Sequence, residues 1–190
     1  MTDGNISQPF GMELSAYSAE RLRNPETRKV AFEAMVRALA PRLYVPIRRI
    51  VLFHDDADDV LQNTFLKAWQ SVDTFRGDCQ VYTWLYRIAV HESLDFLQRR
   101  HPAESLDDEA AEAARSLEGD PYFDGDETER LLQQAIASLP EKQRVVFNLK
   151  YFEEMKYEDM SQMLGTSVGA LKASYHLAVK KIEQFFHEAD

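Results

Sequence analysis

An internal disulfide is the first thing this chain cannot make. Cys79 is its only cysteine in 190 residues, which excludes an intrachain disulfide framework and a cysteine-based zinc site. Glycine and proline are sparse, seven of each, while 45% of residues are hydrophobic, so a core can form without covalent staples. No apolar run approaches the roughly 18–20 residues needed to span a bilayer. The N-terminal MTDGNISQPFGMELS lacks the basic-then-apolar order of a secretory signal. The expectation is a soluble, cytoplasmic protein with no membrane insertion. Also missing are a glycine-rich phosphate loop, zinc-ligand spacing and a Ser/His/Asp order. The five histidines, His54, His91, His101, His176 and His187, are dispersed. The four acids of HDDADD point in different directions on a helix. The chain therefore reads as a non-enzyme with no cofactor and no metal.

What is present is acid, unevenly spread. The formal net charge is −10, which disfavours nonspecific contact with nucleic acid if it is uniform. Residues 101–129 hold eleven Asp/Glu against one Arg, a net of −10. Residues 1–100 hold thirteen of each sign and residues 130–190 eight of each, so both flanks are neutral. The acidic stretch is poor in Ile and Val and is punctuated by Pro102, Gly119, Pro121 and Gly125, the composition of a solvated linker. A short helix around 106–117 is an option within it.

Alternating strand patterns and hairpin dipeptides are scarce, and helical spacing dominates. Pro25 suits the first turn of a helix whose apolar face is Val30, Phe32, Met35, Val36 and Leu39, with Pro41 as its breaker. A second helix is expected over 42–53, its early turn disturbed by Pro46. Asp55 or Asp56 can cap a third, with Ala57, Val60, Leu61, Phe65, Ala68, Trp69 and Val72 as its apolar positions. A loop at 73–80 precedes a fourth helix over 81–99. The pattern resumes near Glu127. Pro140 opens a helix with Val145, Val146, Leu149 and Phe152 inward, and two further helices flank Gly165. The fold class is all-α: two small helical domains, 20–100 and 129–188, joined by an acidic flexible linker over 101–128.

The C-terminal pair matches a helix-turn-helix. Gly165 supplies a left-handed turn, and Ser167 or Thr166 can cap the last helix. Val168, Leu171, Tyr175, Ala178, Ile182 and Phe185 fall on its inner face at 100° per residue. The outer face centres on Gly169, Ala173, His176 and Lys180, with Lys172 and Leu177 flanking it: small where a groove would be approached, cationic or donating further along. A solvated helical hairpin is the plainer alternative. In the N-terminal domain Phe75, Tyr82, Trp84 and Tyr86 interleave with Arg76, Arg87, Arg99 and Arg100, which suits unstacked bases on rings beside a cationic track. Packing of Trp84 and Leu85 in the core explains part of the same pattern. A free-standing helix-turn-helix regulator with a sensing domain also fits, and a gel shift on duplex DNA alone separates that reading.

Taken in order, DADDVLQNTFLKAW (56–69), FRGDCQVYTWLYRIAVHESLDFL (75–97), LPEKQRVVFNLKYFEEMKYEDMSQMLG (139–165) and VGALKASYHLAVKKIE (168–183) resemble the extracytoplasmic-function (ECF) sigma factors of bacterial RNA polymerase. The resemblance implies an initiation factor that binds core RNA polymerase, recognises −35 and −10 promoter elements and promotes melting. It implies docking of Asp59, Gln62, Asn63 and Lys67 on the clamp helices of the largest subunit, and of the C-terminal domain on the flap. Phe75 to Gln80 would capture a flipped base at −10, with Phe75, Arg76, Tyr82, Trp84, Arg87 and His91 meeting single-stranded DNA. Ser167, Gly169, Lys172, Ala173, His176, Lys180 and Lys181 would meet duplex DNA at −35. The linker would thread a channel built for polyanions, and an inhibiting anti-sigma factor is expected by analogy. RIAVH stands where many relatives have RIARN, and Ser174, Leu177 and Val179 stand where many carry arginine.

Overall fold

The computed structural model describes residues 16–100 and 127–189. The N-terminal tail, nearly all of the expected linker and the optional helix at 106–117 lie outside the described residues. Within them all regular structure is helical. The first unit holds α1 (Ala19–Arg23), α2 (Arg28–Val51), α3 (His54–Ser71), a 3-10 turn (Val72–Thr74) and α4 (Val81–Arg100). The second holds α5 (Glu127–Ala137), α6 (Glu141–Tyr151), α7 (Tyr157–Leu164) and α8 (Val168–Ala189).

The largest departure from the sequence reading is α2. Pro41 does not break it and no second helix starts at 42; one helix of 24 residues contains both Pro41 and Pro46. Each interior proline removes a backbone bond at about 3 kcal/mol. Ala31, Met35, Leu39, Leu43, Ile47 and Ile50 form one stripe running past both, none more than 2% exposed. Burying each large member of that stripe contributes roughly 1.5–3 kcal/mol, so tertiary packing outweighs the local signal. Pro41 also lies on the exposed side, where water can take the freed carbonyl. Pro25 does not open a helix either. It sits in the turn between α1 and α2, where the Asn24 side chain accepts from the Glu26 N–H at 2.9 Å.

Further expectations are corrected at α3 and on the facing side of α2. Neither Asp55 nor Asp56 caps it; the helix starts at His54 after an extended Phe53. Both acids fall in its first turn, where they face the positive end of the helix dipole, and Asp56 pairs with Arg100 of α4. The His54 ring instead hydrogen-bonds the Tyr44 hydroxyl of α2 through Nδ1. Val30, expected inside, is 60% exposed, and Trp69 is 43% exposed with its ring edge-on to Phe32.

The loop after α3 is pinned by Gly77, whose φ is +83° and whose missing Cβ would lie 3.1 Å from the Ala19 Cβ. Gly77→Ala is expected to lower stability by about 1–2 kcal/mol through the left-handed backbone alone, read as a fall in the thermal midpoint.

In the second unit Pro140 precedes α6 and Gly165, with φ +61°, closes α7. Val145, Val146 and Leu149 are buried as expected; Phe152 is half-buried, edge-on to Phe147. Phe147, Ala178 and Ile182 form a local core with Ala135, Ile136 and Leu139. The two units pack on each other. One apolar cluster includes Leu39, Leu43 and Ile47 of the first and Val145, Leu149 and Leu171 of the second.

Candidate nucleic-acid interface

The helix-turn-helix is α7, Gly165 and α8. Gly165 ends α7 in the left-handed conformation, and the Ser167 hydroxyl accepts from the Ala170 N–H at 3.3 Å, capping α8. Leu171, Ala178 and Ile182 point inward and are buried. Val168, Tyr175 and Phe185 flank them, half-buried. Ser167, Gly169, Lys172, Ala173, His176, Lys180 and Lys181 are all exposed on the outer side. A Cβ at Gly169 would meet nothing within 4 Å, so packing within the chain does not require glycine there. Lys172 and Lys150 both lie beside the Tyr157 ring, at 5.7 and 5.0 Å from its centroid. This contact holds cationic groups where α7 meets α8. Gly169→Ala should leave thermal stability unchanged or raise it by up to about 1 kcal/mol, since alanine is the better helix former. The same methyl on the outer face should weaken duplex binding several-fold in a footprinting titration. Unchanged binding would remove that face from the interface.

The first unit presents two open grooves. The one between α3 and α4, of about 610 Å³, is lined by Trp84, Arg87, Ile88 and His91 together with Lys67, Glu92 and Asp95. Glu92 is 4% exposed and its carboxylate pairs with the Lys67 ammonium, which also lies 3.7 Å from Asp95. Lys67, grouped by sequence with Asp59, Gln62 and Asn63, is thus turned toward α4. Asp59 and Gln62 are exposed and Asn63 is half-buried. Phe75 is 4% exposed, its ring stacked 4.8 Å from that of Trp84. Phe75 therefore backs Trp84 from inside, and Arg76 is the exposed neighbour.

Tyr82 and Tyr86 leave α4 on a different side from Trp84, Arg87 and His91. The Arg42 guanidinium lies 4.5 Å over the Tyr82 ring. Burial, reinforced by the Glu153 carboxylate, pushes the Tyr82 hydroxyl up to about 12. The same two causes, in the same order, raise Tyr86. The six residues expected at single-stranded DNA thus fall into a groove set (Trp84, Arg87, His91), a ring behind it (Phe75), an exposed loop cation (Arg76) and Tyr82 on another flank.

The second groove, of about 600 Å³ between α2 and α3, went unnoticed in the sequence. It is lined by apolar Phe32, Val36, Leu61, Phe65, Leu66 and Trp69, with Lys29, Glu33, Asp58 and Gln62 at its edges. Leu66 is 53% exposed. Its position off the core stripe of α3 was the available signal.

Comparison with known proteins assigns both units. Residues 35–102 match Sigma-70 region 2 and residues 129–182 match Sigma-70, region 4. The RNA polymerase sigma-H factor of Pseudomonas aeruginosa is 32% identical over 175 residues, 87% of this chain and 90% of that one. The ECF RNA polymerase sigma-E factor of Haemophilus influenzae is 32% identical over 168 residues, covering 82% and 87%. The chain belongs to the ECF sigma factors. This sigma factor is accordingly a transcription initiation factor that recognises promoters, and its family are regulators of transcription rather than catalysts. Its fold is that of the sigma factor RpoE solved with the anti-sigma factor NepR from Bartonella quintana (TM-score 0.60, 20% identity, 82% of this chain and 96% of that one). It is also that of CnrH solved with the cytosolic domain of CnrY (TM-score 0.60, 23% identity, 91% and 100%). Among the described residues no helix of the sigma factor is long and apolar enough to cross a membrane.

Proposed function

We propose that this sigma factor binds core RNA polymerase and directs it to promoters by two separate DNA contacts. The first domain, residues 20–100, meets the −10 element as a single strand. The second, residues 129–188, meets the −35 element as duplex through α8. The observation that carries the reading is the pairing of two unlike surfaces on one chain. One is an exposed, small-then-cationic helix N-terminus suited to a major groove. The other is an aromatic and cationic groove suited to unstacked bases. With Lys172, Lys180 and Lys181 as the lysines of α8, few phosphates are neutralised and binding of free duplex should be weak. The factor therefore works as part of a polymerase.

Asp59, Gln62 and Asn63, with the apolar groove beside Gln62, form the docking face for the clamp helices. Lys67 acts on the other side of α3, beside Glu92 and the single-strand groove. The flap of the polymerase takes the second domain, and an anti-sigma factor is the expected inhibitor. The protein acts in the cytoplasm, where its polymerase is. Run-off transcription with core enzyme on genomic fragments tests the reading, with start sites mapped to one promoter class as the expected result. No binding to core at micromolar concentration would overturn it.

A further inference from the structure

The outer side of α8 is divided lengthwise. At 100° per residue, Lys172, His176 and Lys180 follow one line along it, and Ala170, Ala173 and Leu177 follow another. All six are exposed. The first line is cationic or donating and the second is wholly apolar. Leu177 is 48% exposed. Among the described residues it joins none of the apolar clusters, whereas Val179, two residues on, packs against the local core of the second unit. A single exposed leucine is ordinary on a protein surface. This one ends an apolar stripe on the face that carries Gly169 and the lysines, so its exposure is not explained by the packing of its own domain.

Its place along the helix limits what it can meet. Leu177 lies eight positions beyond Gly169, about 12 Å along the axis at 1.5 Å per residue. The major groove is also about 12 Å wide. With Gly169 at one side of the groove, Leu177 still stands over base edges, while Lys180 and Lys181, a turn further on, reach the backbone. A leucine over base edges offers no donor and no acceptor. Set against an amino or carbonyl edge it strips water and returns no hydrogen bond, which is unfavourable. The apolar group that base edges present in the major groove is the 5-methyl of thymine. Ala173, one turn earlier on the same line, widens the apolar surface around it.

We propose that Leu177, backed by Ala173, is a specificity-determining residue that reads a thymine methyl in the −35 duplex, while Lys172, His176 and Lys180 hold the helix in register. This deepens the −35 contact proposed above and rests on it. The apolar line selects among sequences, and the cationic line supplies the affinity that does not depend on sequence.

The test uses the factor assembled with core polymerase, on a promoter found by run-off transcription. Each thymine of the −35 element, on either strand, is replaced in turn by deoxyuridine, which lacks only the 5-methyl. Burying a methyl-sized group changes binding by about four-fold, so the parent should bind at least one substituted duplex about three- to five-fold more weakly. Leu177→Ala should bind the natural promoter more weakly and should not distinguish thymine from deoxyuridine at that position. Leu177→Arg should also lose the methyl preference, and its binding should depend more steeply on salt, by about one phosphate contact. Because Leu177 is exposed, both variants should keep the thermal midpoint of the parent. A parent indifferent to every deoxyuridine while its −35 footprint persists overturns the methyl reading and leaves the −35 contact standing. A Leu177→Ala variant as sensitive to deoxyuridine as the parent does the same. A holoenzyme with no −35 footprint overturns the proposed function, and the methyl reading falls with it.

Discussion

Truncating Arg144 to alanine is expected to destabilise the folded chain by about 2–4 kcal/mol, among the largest single effects available outside the apolar core. A charged donor to a carbonyl contributes roughly 1.5–3 kcal/mol, and the guanidinium serves three carbonyls at once. The contributions are not additive, because water entering the vacated space can satisfy part of the loss. What remains is a set of helix-end carbonyls in a buried site. Arg144→Lys should recover less than half, since one ammonium cannot reproduce a planar fork that reaches two helix ends. Urea unfolding followed by far-UV circular dichroism reads both. A loss under about 1 kcal/mol for the alanine variant would mean that the three bonds are not limiting.

Arg144 also shows why some of this molecule was illegible from sequence. In EKQRVV it reads as a solvated arginine at the start of a helix. Its burial depends on a carbonyl 94 residues away in the chain, which no local pattern reports. Lys67 is a similar case. It follows Asn63 by four residues on the polar face of α3, and nothing nearby announces that a buried Glu92 waits on α4. Phe75, in a loop of Arg, Gly and Asp, is placed at single-stranded DNA by the family resemblance, and nothing in that loop announces that its ring packs behind Trp84. The prolines of α2 misled in the opposite sense, because their signal is local and strong while the stripe that overrides it is long.

Legible features carried their chemistry with them. Pro140 and Gly165 start and stop a helix by a backbone property that the residue itself supplies, and Ser167 starts one by its side-chain hydroxyl. The outer face of α8 followed from angular spacing alone, because a helix packed on one side must expose the other. The ordered motifs identified the family because both domains were intact, although no single stretch sufficed.

Trp84→Ala should reduce open-complex formation by about 10–100-fold. Stacking of a base on an aromatic side chain is worth roughly 1–3 kcal/mol, which is about 5–150-fold in an equilibrium. Trp84 lines the groove proposed for the single strand, beside Arg87 and His91, and Phe75 supports it from within. Losing the indole also removes that internal contact, so some stability goes with it, about 0.5–1.5 kcal/mol for the ring pair beyond its buried area. Trp84→Phe separates the two effects, because a smaller ring can still stack on both sides. Permanganate reactivity of melted thymines, set against footprinting of the −35 duplex in the same complexes, reads them apart. A base-stacking role predicts that melting fails while the −35 footprint survives, with Trp84→Phe closer to the parent than to alanine. Equal loss of both signals would assign Trp84 to the core of its domain and leave Arg87, His91 and Arg76 to hold the strand.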